Sequence, residues 1–157
     1  MPDLLVKLYT LPPLEQDLNH MQAQGILLRR AIPPEKHIVL DWVKQHFSSS
    51  WTSECDVAFH RTPPTCWLAI ENNQLIGFGC YDVTSKGFFG PTGVAEAARG
   101  RGAGKALLMA CLHALRWDGY GYAIIGDAGP VEFYQKIVGA VVIEDSTPGV
   151  YNGMLRS

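Results

Sequence analysis

An α/β (α+β) domain, built on one mixed sheet with helices against its faces, is what this chain's order of elements predicts, and three observations carry the prediction. Strand-like apolar runs alternate with helical periodicities along the chain, with no internal repeat and no low-complexity tract. One apolar run, 87–94, leads into an amphipathic helix through glycines at 100, 102 and 104, interleaved with Arg99, Arg101 and Lys105. A length of 157 residues with 47% hydrophobic content suits a single core able to close around a ligand.

In chain order, 3–10 reads as a short strand, 14–23 as a short helix and 25–30 as the first well-marked strand. Pro33-Pro34 before Glu35 starts a helix on which Val39, Trp42, Val43 and His46 share one face. The serines within 48–53 cap a second helix running to about His60. Two β-rich runs, 65–70 and 75–82, meet at Asn72-Asn73, a hairpin signal. The run 87–94 contains Pro91, which cannot donate to a ladder, and Gly93, so this strand is expected to be bulged or splayed. The helix at 104–117 carries Leu107, Leu108, Cys111, Leu112 and Leu115 and is expected to be buried, ending at Gly119. A continuous apolar strand at 122–125, a turn at 126–130 and a helix at 131–138 closed by Gly139 follow. Runs 140–144 and 149–155 are expected to close the sheet as two strands around Thr147-Pro148-Gly149.

Charge and cysteine usage narrow the function. A net charge of −2, with cations clustered locally, gives no basic field of the kind that nucleic acids need. Cys55, Cys66, Cys80 and Cys111 form no C-x-x-C pair and have no histidine at ligand spacing, so they read as reduced, mostly buried thiols, and no metal is expected. Lys7 and Pro12-Pro13 interrupt the leading apolar run, which excludes a secretory h-region or a membrane span there. The expected setting is cytoplasmic, without membrane or nucleic-acid partners.

The glycine turn carries the chemistry. Glycines let backbone N–H groups approach a ligand closely, and these amides open a helix whose first-turn donors are unpaired and whose dipole favours anions. Arg99, Arg101 and Lys105 add positive charge at the same place. A phosphate ligand follows. A triphosphatase loop would need glycine at 99 and Ser or Thr at 106, where Arg and Ala stand; a dinucleotide fingerprint would need glycine at 105, which is lysine.

Arg99-Gly100-Arg101-Gly102-Ala103-Gly104 instead resembles the (Gln/Arg)-x-x-Gly-x-(Gly/Ala) signature of the GNAT acyltransferase superfamily, in which this loop holds the pyrophosphate of acetyl-coenzyme A. The resemblance covers the element order from about residue 25 to the C-terminus, and the block Gly129-Pro130-Val131-Glu132-Phe133-Tyr134 resembles small bacterial members whose acceptor is unassigned. It implies a sheet of about seven strands flanked by about four helices, splayed between the strands at 87–94 and 122–125 to admit pantetheine. Residues 1–24 are then an extension packed on the core or at an interface, and 25–157 the acetyltransferase domain.

The resemblance implies acetyl transfer from acetyl-coenzyme A, as cosubstrate, to a small-molecule or peptide amine by direct attack in a ternary complex. Thr92, Gly93, Val94 and the loop from Arg99 through Gly100, Arg101, Gly102, Ala103 and Gly104 to Lys105 are the expected cofactor contacts, with an N–H at about 92–94 serving the oxyanion. Tyr134 is the expected acid for the departing thiolate. Adjacent helical residues face different ways, so Tyr134 is expected to be less buried than Phe133. Candidate bases are Glu96 and Asp127, with Asp82, Tyr81, Glu54 and a water relay open beside them. Trp51, Glu54 and Tyr81 are the expected acceptor contacts, Trp51 through its cation-binding face and Glu54 as countercharge. The two ligands are expected to enter from opposite sides of the sheet. A homodimer is compatible with this reading. The alternative is a non-catalytic acyl-coenzyme A sensor that uses the N-terminal extension as an interface; such a protein has no need of an acid at Tyr134.

Overall fold

A computed structural model describes residues 1–156. Seven strands form one mixed sheet in the order β2-β3-β4-β5-β6-β1-β7. They are β1 (Leu4–Lys7), β2 (Ile26–Arg30), β3 (Cys66–Glu71), β4 (Gln74–Tyr81), β5 (Phe88–Val94), β6 (Tyr122–Ile125) and β7 (Val141–Val142). Five helices accompany them: α1 (Glu15–Ala23), α2 (Lys36–His46), α3 (Ser49–Ala58), α4 (Ala103–Trp117) and α5 (Val131–Val138). Among the described residues, no helix is long and apolar enough to cross a membrane.

Alternation along the strands sorts the core into two faces. Cys66, Leu68, Phe78 and Cys80 point to α2 and α3, where they pack on Val39, Val43, Cys55 and Ala58. Ala69 turns the other way, to α1 and α4, and packs on Met21, Ala106 and Leu107. Every residue of α4 from Ala106 to Leu115 is buried, because the helix crosses the middle of that face. Ser48 caps α3 by accepting the Trp51 N–H at 3.1 Å. Asn72 and Asn73 both take left-handed backbone, at φ 51° and 61°, and close the β3–β4 hairpin as their residue types demand.

Two departures from the sequence reading matter for the site. The leading segment is more than a packed extension: β1 lies inside the sheet, antiparallel to both β6 and β7, with Leu4 opposite Ile125 and Val142. The run 149–155 forms no strand. Gly149–Tyr151 is a single turn of 3₁₀ helix, flanked by left-handed glycines at 149 and 153, because the free edge of β6 that a closing strand could use already belongs to β1.

Candidate active site at the splay between β5 and β6

β5 and β6 run parallel but pair only at Phe88–Ile124 and Phe89–Ile125, after which they diverge. The divergence begins at a bulge. Gly79 faces Thr92 and Tyr81 faces Phe89, so Gly90 and Pro91 together oppose Cys80 alone. Gly90 accommodates this at φ 117°. Beyond the bulge the Ala95 N–H donates to the Ile76 carbonyl at 2.8 Å, which assigns the ladder bonds to alternate residues and turns the N–H groups of Thr92 and Val94 to the open edge. The Thr92 hydroxyl donates to the Phe78 carbonyl at 3.0 Å, and Arg99 Nε to the Val94 carbonyl at 3.2 Å. Gly93 is required by packing: a Cβ there would lie 2.3 Å from Phe47 Cζ.

The chain then enters α4 through the glycine turn. Gly100 and Gly102 are left-handed, at φ 81° and 90°. Among the described residues, none of the backbone N–H groups from Gly100 to Lys105 donates to a protein acceptor, so a row of amides opens at the positive end of a 15-residue helix. α1 braces the turn from behind. Gln24 Nε2 donates to the Arg101 carbonyl at 2.8 Å, and the His20 ring covers Gly102. The donors, the helix terminus and a cavity of about 580 Å³ beside them suit a diphosphate on an extended arm. That cavity is lined by Thr92, Gly93, Val94, Arg99, Gly100, Gly102, Ala103, Gly104, Lys105 and Tyr134. Arg101 does not line it. Its guanidinium grips the Glu71 carboxylate through two bonds of 2.9 and 2.5 Å, which holds Glu71 below the usual carboxylate range. Lys105 lies 3.6 Å from Asp17 of α1.

A second cavity, about 290 Å³, opens beyond β5 and shares Trp51, Phe89, Thr92, Pro130 and Tyr134 with the first. Glu54 and Asp127 line it. Thr84 Oγ1 donates to Glu54 Oε2, and the Tyr151 hydroxyl reaches the same oxygen at 3.5 Å. Asp127, left-handed at φ 47°, lies 3.4 Å from the Met1 amino group at the rim. Tyr134 is only 7% exposed while Phe133 is 37% exposed, the reverse of the expected order, because Tyr134 packs inward among Phe89, Leu108 and Val138. Its hydroxyl has no hydrogen-bond partner among the described residues, and the residue lines both cavities. Burial raises its pKa above the ordinary tyrosine value.

The remaining expected residues fall elsewhere. Tyr81 is 2% exposed and lines neither cavity; alternation on β4 sends Cys80 toward α3 and Tyr81 to the opposite face, where its hydroxyl meets Arg30. Glu96 is exposed on a single 3₁₀ turn outside both cavities. Asp82 serves the β4–β5 loop, accepting the Gly87 N–H at 2.6 Å. Thr84 and Tyr151 were not anticipated: Thr84 carries no pattern, and Tyr151 sits in the run read as a strand. The four cysteines are free and buried. The Sγ atoms of Cys55, Cys66 and Cys80 lie within 4.8 Å of one another, a convergence that no sequence spacing signals. Burial pushes the Cys80 thiol well up.

The family model described as the GNAT acetyltransferase family matches residues 36–140. The chain belongs to that family, whose cosubstrate is acetyl-coenzyme A. Among solved structures, it is similar to the glucosamine N-acetyltransferase region of a fungal multi-domain GH3 β-N-acetylglucosaminidase, with a TM-score of 0.73 and 16% identity over 90% of this chain and 19% of that one. It is also similar to a GCN5-related N-acetyltransferase from Sphaerobacter thermophilus, with a TM-score of 0.62 and 21% identity over 90% of this chain and 48% of that one. At these identities the likeness is one of fold, and the chain spans about a fifth and about half of the two proteins' lengths. No curated protein matches the sequence.

Proposed function

We propose that this chain transfers an acetyl group from acetyl-coenzyme A to a small amine by direct attack in a ternary complex. The observation that carries the reading is the meeting of two cavities at Tyr134 and Thr92, one walled by unpaired amides and cations and the other by carboxylates and aromatic rings. The amides from Gly100 to Lys105, with Arg99, hold the diphosphate. The open edge of β5 receives the pantetheine arm, and an N–H at Thr92 or Val94 meets the oxyanion as the carbonyl becomes tetrahedral.

Tyr134 supports the departing sulfur. Its phenol is a weaker acid than a thiol, whose pKa is about 8.5, so full proton transfer to the thiolate runs uphill. Tyr134 therefore acts by donating a hydrogen bond as charge builds on sulfur, and one of the amine's own protons completes the thiol. An alkylammonium with a pKa of about 10.4 must first lose a proton, which the solvent-open rim of the second cavity allows.

Tyr134→Phe tests this, because it removes only the hydroxyl. Turnover is expected to fall roughly 10²-fold while coenzyme A affinity measured by calorimetry is unchanged. A protein that merely senses acyl-coenzyme A would show no amine-dependent thiol release before or after the substitution.

A further inference from the structure

The two cavities differ in charge as well as in material, and on the acetyl-transfer reading that difference bears on the acceptor. The cofactor cavity carries Arg99 and Lys105. The second cavity carries Glu54 and Asp127; Met1, with its amino group, also lines it, and among the described residues no Lys or Arg side chain does. Thr84 and Tyr151 are neutral donors, so they aim the Glu54 carboxylate without cancelling its charge. Asp127 and the Met1 amino group, 3.4 Å apart and each 60% exposed, form a solvent-screened pair at the rim, so the weight of the cavity's negative charge falls on Glu54. Both carboxylates line one cavity together with Tyr151, whose hydroxyl reaches Glu54 Oε2 at 3.5 Å. Trp51, Phe88, Tyr134 and Tyr151 supply aromatic walls. Tyr134, more than nine-tenths buried and with no hydrogen-bond partner for its hydroxyl among the described residues, lines the same space.

We propose that the acceptor is a small aliphatic diamine, with its reacting amine at Tyr134 and its second ammonium held by Glu54 and Asp127 against the aromatic walls. A monoamine that has given up its proton brings no charge to these carboxylates, whereas a diamine in the same state still carries one ammonium. An amino acid would bring a third carboxylate to the other two. Aromatic faces favour an ammonium as well as its methylene chain. In the reaction the amine, having lost one proton to solvent, forms the N–C bond to the acetyl carbonyl. The C–S bond breaks, its electron pair leaves on sulfur, and the amine's second proton ends on that sulfur as the thiol.

The experiment compares 1,4-diaminobutane, 1-aminobutane and 4-aminobutanoate as acceptors at a fixed acetyl-coenzyme A concentration, following thiol release in wild type, Glu54→Gln and Asp127→Asn. Retained coenzyme A binding by calorimetry serves as the check on folding. The diamine is expected to exceed the monoamine in kcat/KM by about 10-fold, and the amino acid by a larger margin, since the attacking diamine alone keeps an ammonium to pair with Glu54 and a partly desolvated charge pair is worth a factor of that order. Each substitution is expected to draw the diamine-to-monoamine ratio toward one. Equal rates for diamine and monoamine, a preference for the amino acid, or a ratio indifferent to both substitutions would overturn the diamine assignment and leave acetyl transfer standing. Thiol release with none of the three amines, from a protein that still binds coenzyme A, would overturn both.

Discussion

The proposed cofactor cavity owes its polar groups largely to backbone and the proposed acceptor cavity to side chains, although they share a wall. On one side of Tyr134 the polar groups are consecutive amides at the head of α4, and a few glycines suffice to expose them. On the other, Glu54, Thr84, Asp127 and Tyr151 come from α3, two loops and the C-terminal turn, and only the finished fold assembles them. A backbone site leaves its mark as spacing. A side-chain site of this kind leaves none, and can change its ligand without disturbing the cofactor.

The contrast breaks most sharply at Gly104. Its φ is ordinary and an added Cβ meets only Val94 Cγ2, at 3.8 Å, so Gly104→Glu should fold while placing a carboxylate against the phosphates. Coenzyme A affinity is expected to fall by roughly 10²-fold, about 2.7 kcal/mol. Unchanged affinity by calorimetry in a folded variant would remove the turn from the cofactor site. Gly102→Glu is a poorer probe, because at φ 90° and with His20 3.1 Å from the new Cβ it strains the fold as well.

A pH profile sharpens the comparison at the shared wall. With a competent amine, kcat/KM is expected to climb through about pH 7 to 9 as the free amine forms. Burial holds the Tyr134 proton on beyond the ordinary tyrosine range, so the rate falls only at a pH above that range, as the phenol ionises. Tyr134→Phe should lose that falling limb. A decline beginning near pH 8 in wild type would rule out Tyr134 as the donor to sulfur.

The smallest expected effect separates the cations of the loop. Arg101 is committed to Glu71, so Arg101→Gln should alter coenzyme A affinity by less than about 3-fold, whereas Arg99→Gln, which removes a guanidinium from the cavity wall, should cost more. Equal losses in the two variants, measured by calorimetry, would mean that Arg101 leaves Glu71 to meet the ligand.

What could be read in advance follows the same division. The hairpin at Asn72-Asn73, the bulge at Pro91 and the cap at Ser48 are local, each dictated by what one or two residue types can do with their backbone. The phosphate turn is local as well, apart from the commitment of Arg101, which depends on β3 arriving beside it. Tyr81 is expected at the acceptor site, yet a one-residue alternation on β4 sends it to the other face. The run 149–155 reads as a closing strand, but strand formation also needs a vacant edge, and vacancy is a property of the whole sheet. Leu155, 95% exposed, is the residue of a pattern without a partner.

The place of β1 has a bearing on how the chain comes together. The strand synthesised earliest of the seven is completed by one of the latest, and the Asp3 carboxylate accepts the amide of Asp127, 124 positions further on. The half of the sheet that orients Tyr134 is therefore dominated by non-local pairing, which is slow to form because a long loop must be closed before any contact rewards it. The β3–β4 hairpin, by contrast, closes through Asn72 and Asn73 alone, so the strands on the far side of β5 rest on shorter loops than the strands that hold Tyr134 in place.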